Sequence, residues 1–322
     1  MKSLSILFMF TTLSAGAWKW RALAPLPQPR AGYGAGLIDH RLIIAGGSYW
    51  RNGQKIQSAQ TDLFDPDQNR WTAAAPMPVA VSNAASAVIG GTLFILGGTD
   101  GRRARRRVYA FDGVHWSDRT DLMLPEARTN GIAVSDGTSL FLIGGIRAPD
   151  RYSSELGSGW MINPSRPGNG WQQLPECRCT IRLILAAAAL NEKLFLFGGA
   201  IGKNGGVDNL SDIWSFDLMR HEWTQVGHLP EPRRAMWAAT DANRILLFGG
   251  YTDAFRNDVL LFEPLNGRIT RAGNLPEPIA DAKFFRIGST WYTAGGEIGS
   301  KIRGWNTWSG TLRADASIHP QE

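Results

Sequence analysis

Six glycine pairs divide this 322-residue sequence into units: Gly46-Gly47, Gly97-Gly98, Gly144-Gly145, Gly198-Gly199, Gly249-Gly250 and Gly295-Gly296. They lie 51, 47, 54, 51 and 46 residues apart, so one unit of about 50 residues recurs. Its clearest copy runs from Leu229 to Tyr251, LPEPRRAMWAATDANRILLFGGY. A proline-bearing connection delivers Arg233, a strand of small residues follows, Asp241 to Asn243 make a polar turn, and Ile245 to Phe248 lead to the pair. Two apolar runs around such a turn read as a β-hairpin. The run before the pair recurs as Leu42-Ile43-Ile44, Leu93-Phe94-Ile95, Leu140-Phe141-Leu142, Leu194-Phe195-Leu196 and Trp291-Tyr292-Thr293. After the pair comes a second run, such as Leu63-Phe64-Asp65 or Trp214-Ser215-Phe216, and then Trp71, Trp116, Trp171 or Trp223.

Four strands per repeat, with glycine near an axis and tryptophan further out, describe a propeller blade. A period near 50 is that of kelch repeats. The expected fold is therefore all-β: a six-bladed kelch propeller of four-stranded antiparallel blades, one closed ring over 18–316. Trp18 to Pro27, WKWRALAPLP, resembles the segments WTAAAPMP and WTQVGHLP that close one blade and lead to the next, but no blade precedes it. It is expected to pair with the last blade, where Thr311 to Ala316 competes for the same place.

Residues 1–17 combine Lys2, an apolar stretch from Leu4 to Leu13 and the small-residue site Ala15-Gly16-Ala17, the pattern of a secretory signal. That stretch is too short to span a bilayer. The expectation is an exported protein, periplasmic or secreted, with no membrane span and a short tail at 317–322. The net charge of +6 favours anionic partners. The run Arg102, Arg103, Arg105, Arg106 and Arg107 reads as a solvated loop, since export argues against a nucleic-acid patch. Cys177 and Cys179 are the only cysteines, too few for a disulfide framework, and read as an incidental loop pair. Nothing in the repeat specifies an oligomeric state.

Counting back sixteen residues from the first glycine of each pair lands on Arg30, Val81, Arg128, Arg182, Arg233 and Ile279. The connection into the innermost strand and the loop leaving the second strand open on one face, because the two strands are antiparallel. Four arginines in register then have two readings. Each can brace a connection through its five donors, or the four can converge on a mouth, with Lys283 and Arg147 nearby, and hold a carboxylate, sulfate or phosphate. The residues after the glycine pairs, Ser48, Thr99, Ile146, Ala200, Tyr251 and Glu297, are expected at that mouth. Tyr251 joins Arg30, Arg128, Arg182 and Arg233 as a candidate ligand-binding residue, and Glu297 is the one acid.

Gly296-Glu297-Ile298-Gly299-Ser300-Lys301-Ile302-Arg303 resembles the glycine-glutamate segment, with arginine six residues on, of the sialic acid mutarotases (N-acetylneuraminate epimerases). Those are exported six-bladed kelch propellers. Here the motif falls in the final blade, as in a circularly permuted relative, and the ending WYTAGGEIGSKIRGWNTWSG is similar to theirs. The resemblance implies an isomerase interconverting the anomers of an acidic sugar. Glu297 would be the catalytic base, Arg303 would hold the carboxylate or polarise the opening group, and no metal or redox cofactor is needed. The kelch-type copper radical oxidases are an unsuitable comparison, because His40, His115, His221, His228 and His319 do not gather at the glycine-pair face. The non-enzymatic alternative is a secreted propeller that binds a glycan or protein through its loops, with the arginines as scaffold and Glu297 as their counter-ion.

Overall fold

A computed structural model describes residues 18–312 except residue 204. The signal-like segment and the expected tail lie outside these residues. Six four-stranded antiparallel sheets form the blades. Blade one is Gly34–Ile38, Arg41–Ala45, Thr61–Asp65 and Arg70–Ala73, from the inside outward. Blades two to five follow the same order, beginning with the inner strands Ala85–Ile89, Ile132–Ser135, Ala186–Leu190 and Trp237–Asp241. Blade six takes Phe284–Ile287, Thr290–Ala294 and Thr307–Leu312 from the end of the chain and Trp18–Leu23 from its start. Of the competing segment Thr311 to Ala316, only Thr311 and Leu312 lie within the described residues, and they end the third strand, Thr307–Leu312. Trp18–Leu23 pairs outside that strand from Trp18↔Leu312 to Leu23↔Thr307 and is the outermost strand of the last blade.

The core is divided among the six blade-to-blade faces. Ile43, Ala45 and Leu63 of blade one meet Leu93, Ile95 and Phe111 of blade two. At the seam, Ala294 of blade six meets Leu42, Ile44 and Phe64 of blade one. The inner strands of blades one, two, four and five are rich in alanine or glycine, whereas that of blade six is Phe284-Phe285-Arg286-Ile287. Outer tryptophans of blades one to four reach back across the wedge to the preceding blade: Trp71 Nε1 donates to the carbonyl of Ala24, Trp116 to Ala75, Trp171 to Leu122 and Trp223 to Pro175.

The glycine pairs are explained by contact with the following blade. The second glycine N–H donates to the carbonyl of that blade's register residue: Gly47 to Val81, Gly98 to Arg128, Gly145 to Arg182, Gly199 to Arg233, Gly250 to Ile279 and Gly296 to Arg30, at 2.7 to 2.9 Å. A Cβ on the first glycine would strike the same carbonyl, at 2.3 Å for Gly144, Gly198 and Gly249. Both glycines have positive φ in all six pairs, which glycine alone adopts without strain. Gly296 to Arg30 is the link that closes the ring.

Two residues past each register position the backbone is also left-handed, at Gly32, Asn83, Asn130, Ile184, Ala235 and Asp281, with φ between 53° and 64°. These residues encircle the axis. Asn83 N–H donates to Gly32, Asn130 to Asn83, Ile184 to Asn130, Ala235 to Ile184 and Asp281 to Ala235.

Cys177 and Cys179 form a disulfide, so the expectation of an incidental pair is corrected. The turn Arg178–Thr180 bends the chain enough to bring the Cα atoms to 5.0 Å, within bridging distance. The arginine run is solvated as expected at Arg102, Arg103, Arg106 and Arg107, all exposed, while Arg105 is half-buried. Arg105 pairs with Asp100, Arg106 donates to the carbonyl of Leu124 and Arg107 pairs with Asp118. Among the described residues no helix is long and apolar enough to cross a membrane.

Candidate binding site

Arg30, Arg128, Arg182 and Arg233 are at most 2% exposed. Their guanidinium groups do not converge on the mouth. Arg128, Arg182 and Arg233 donate to the carbonyl of the first glycine of their own blade, Gly144 at 3.0 Å, Gly198 at 2.8 Å and Gly249 at 3.3 Å. Each also finds acceptors by the start of the third strand. Arg182 grips both carboxylate oxygens of Asp212 at 3.1 and 2.8 Å, and Arg233 those of Asp258 at 3.0 and 3.1 Å. Arg128 takes Glu126 and the Ser158 hydroxyl, both at 2.8 Å, and Arg30 takes Asp62 and the carbonyl of Gln60.

The expected arginine ring at the mouth is thus corrected to four braces between the inner and third strands. A buried guanidinium is stable only beside acceptors and counter-charge, and the third strand begins with both. In blades two and six the same register holds Val81 and Ile279, buried at 2% and 4%, so apolar packing replaces the brace.

The axial cavity at the glycine-pair face has a volume of about 470 Å³. Of the residues that follow the pairs, Ser48, Tyr251 and Glu297 line it. Thr99, Ile146 and Ala200 do not reach it; they are almost fully buried in bridges to Ser82, Thr129 and Leu183. Arg147 is not in its wall and pairs with Glu126.

Glu297 and Arg303 are brought together there. They face each other across the hairpin of Glu297–Gly299 and Ile302–Arg303, and Arg303 Nη1 donates to Glu297 Oε1. Arg303 is 8% exposed and Glu297 32%. Arg234 lies over the Tyr251 ring at 4.4 Å and donates to Asn209 at 2.5 Å. Burial holds its guanidinium below the usual arginine value, against the pull of Tyr251, Tyr152 and Glu297. Lys283 extends over Tyr33 and Trp237, and Lys55 reaches the wall from the exposed hairpin of Ser48–Arg51 and Gln54–Gln57.

Lys283 does line the cavity, as expected, four residues beyond Ile279. Counting forward from the register residue also finds what counting back to it missed: Arg234, the next residue in blade five, and Asp281, two residues beyond Ile279. These positions are carried past the register residue and onto the axis.

A family described as the KLHDC2/KLHL20/DRC7 Kelch-repeats domain matches residues 115–296, and the Kelch motif matches residues 29–78 and 80–114. The chain belongs to this kelch-repeat domain family. The matches run from blade one into the glycine pair of blade six, which agrees with the observed ring. Kelch-like protein 25 of Xenopus tropicalis is 24% identical over 280 residues, covering 83% of this chain and 44% of that protein. Beta-scruin of Limulus polyphemus is 22% identical over 66% of this chain and 23% of its own length. Spermatocyte protein spe-26 of Caenorhabditis elegans is 26% identical over 58% of the chain and 32% of that protein. The chain spans less than half the length of these relatives.

Proposed function

We propose that this kelch domain is a binding module whose axial cavity receives a carboxylate or similar anion presented by a glycan or a protein segment. The carrying observation is the charge of the cavity wall, where Lys55, Arg234, Lys283 and Arg303 outnumber Asp281 and Glu297. Low-dielectric walls concentrate that positive potential, and Trp50, Tyr152, Trp237 and Tyr251 add ring faces for the uncharged part of a ligand. Titration calorimetry with N-acetylneuraminate, a tetraglutamate peptide and glucose tests the reading. The anions are expected to bind and glucose is not, with Arg234→Ala weakening the anions about tenfold, or ~1.4 kcal/mol. Equal binding of glucose would sink it.

A catalytic reading is favoured by one observation, the meeting of Glu297 and Arg303 in the same cavity. Under it the domain interconverts the anomers of an acidic sugar such as N-acetylneuraminate. Glu297 takes the proton of the anomeric hydroxyl, the ring oxygen gains a proton as its C–O bond opens, and reclosure on the other face gives the second anomer. The free donors of Arg303 hold the sugar carboxylate. NMR of the freshly dissolved sugar decides: Glu297→Gln should slow anomerisation roughly a hundredfold while leaving binding. A wild-type rate equal to that of buffer leaves binding alone. Export forms part of both readings, and fractionation of the native host checks it.

A further inference from the structure

Four cations line the cavity wall; Lys55 reaches it from the hairpin after the first glycine pair, and of the other three two are engaged. Arg234 bonds Asn209 and Arg303 bonds Glu297. Lys283 Nζ has no hydrogen-bond acceptor among the described residues, and its nearest carboxylate, Asp281, is 4.0 Å away. Its side chain is 11% exposed, opening into the cavity, with the Tyr33 and Trp237 rings 5.2 and 5.4 Å from the nitrogen. The charged and titratable groups around it are Asp281, Tyr33 and, across the cavity, Lys55, Arg234, Glu297 and Arg303.

Ring faces favour the ammonium modestly, whereas desolvation favours the neutral, nucleophilic amine. Burial pushes Lys283 below the usual lysine value, with Asp281 opposing. An amine in that state attacks carbonyl carbon, and Arg234 and Arg303 in the same wall select an electrophile that carries a carboxylate.

We propose that Lys283 is an imine-forming lysine that takes a small aldehydo or α-keto acid in the axial cavity. The carboxylate half rests on the binding reading above; the amine half does not. The Nζ lone pair forms the N–C bond as the carbonyl π pair moves to oxygen, which is protonated to give the carbinolamine. Loss of the hydroxyl and one nitrogen proton as water leaves the imine. One water is released per adduct and nothing is oxidised or reduced.

The test treats the full chain at pH 7 with glyoxylate and sodium cyanoborohydride, which reduces any imine to a stable amine, and maps the product by peptide mass spectrometry. Formaldehyde replaces glyoxylate in a parallel arm. The sequence holds seven lysines, so six act as internal comparisons. Lys283 is expected to acquire the glyoxylate-derived group at least tenfold faster than the exposed Lys203 and Lys301. Asp281→Asn should speed it further by removing the neighbouring carboxylate, and asparagine already occupies the equivalent left-handed position at Asn83 and Asn130. Labelling of Lys283 no faster than Lys301 with either reagent overturns the proposal. Selective labelling by formaldehyde but not glyoxylate overturns the acid-bearing substrate. Glyoxylate that binds by calorimetry without labelling Lys283 overturns the imine and leaves the binding reading intact.

Discussion

Arg182 shows how a side chain in a recognisable register can serve the scaffold and not the site. It has two neighbours that hold it, the Gly198 carbonyl and the Asp212 carboxylate. Arg182→Ala strands a carboxylate and should cost about 3–5 kcal/mol. Arg182→Lys should recover only part of this, because an ammonium cannot make the paired contact. Chemical denaturation measures both, and ligand affinity per folded molecule should not move. Burial tends to raise the Asp212 carboxyl, but hydrogen bonds from Arg182 and Trp214 and the Arg182 charge hold it below the usual aspartate value. A depressed folded-state value means the contribution is full above the unfolded value of about 3.9 and disappears as pH falls through the folded one. Wild-type stability should therefore drop below about pH 4, and the drop should be shallower in Arg182→Ala. The register itself was legible in the sequence. The destination of the guanidinium was not, because it depends on Asp212, Asp258 and Ser158, whose alignment with the arginines exists only once the third strand is paired.

At the scale of the strand and its turn, the glycine pair is two requirements in sequence: room for a neighbouring carbonyl, then an N–H aimed at it. Gly249→Ala should cost well over 2 kcal/mol, since its Cβ would lie 2.3 Å from the Ile279 carbonyl at φ +56°. Gly53→Ala is the control. Its φ is +75°, but no atom lies within 4 Å of the added carbon, so only the left-handed penalty of about 1–2 kcal/mol applies. Equal losses in the two variants would mean that backbone conformation alone, and not the inter-blade contact, explains the pairs. The repeat period, the hairpins and the pairs could all be read from spacing, because each is local to one blade. The axial wall could be read only in part. Glu297 and Tyr251 follow a glycine pair, whereas Lys55 reaches it from an exposed hairpin whose path the repeat does not encode.

Over the whole ring, stability resides in six interlocking apolar faces, and the single disulfide spans only two residues of sequence separation. Closing so short a loop restricts the unfolded chain by about 1.5 kcal/mol at most. Reduction should therefore lower Tm by no more than roughly 3 °C in a chain of this size, and a fall of ten degrees would assign the bridge a larger structural role. The pairing of Trp18–Leu23 with Thr307–Leu312 has a further consequence for how the molecule bears load. Trp18 lies opposite Leu312, so the two ends of the described chain leave the same end of one antiparallel ladder. Tension drawing these ends apart opens that ladder one rung at a time, beginning at Trp18, instead of shearing all its rungs together. Single-molecule pulling should show blade six peeling at low force before the other five blades yield.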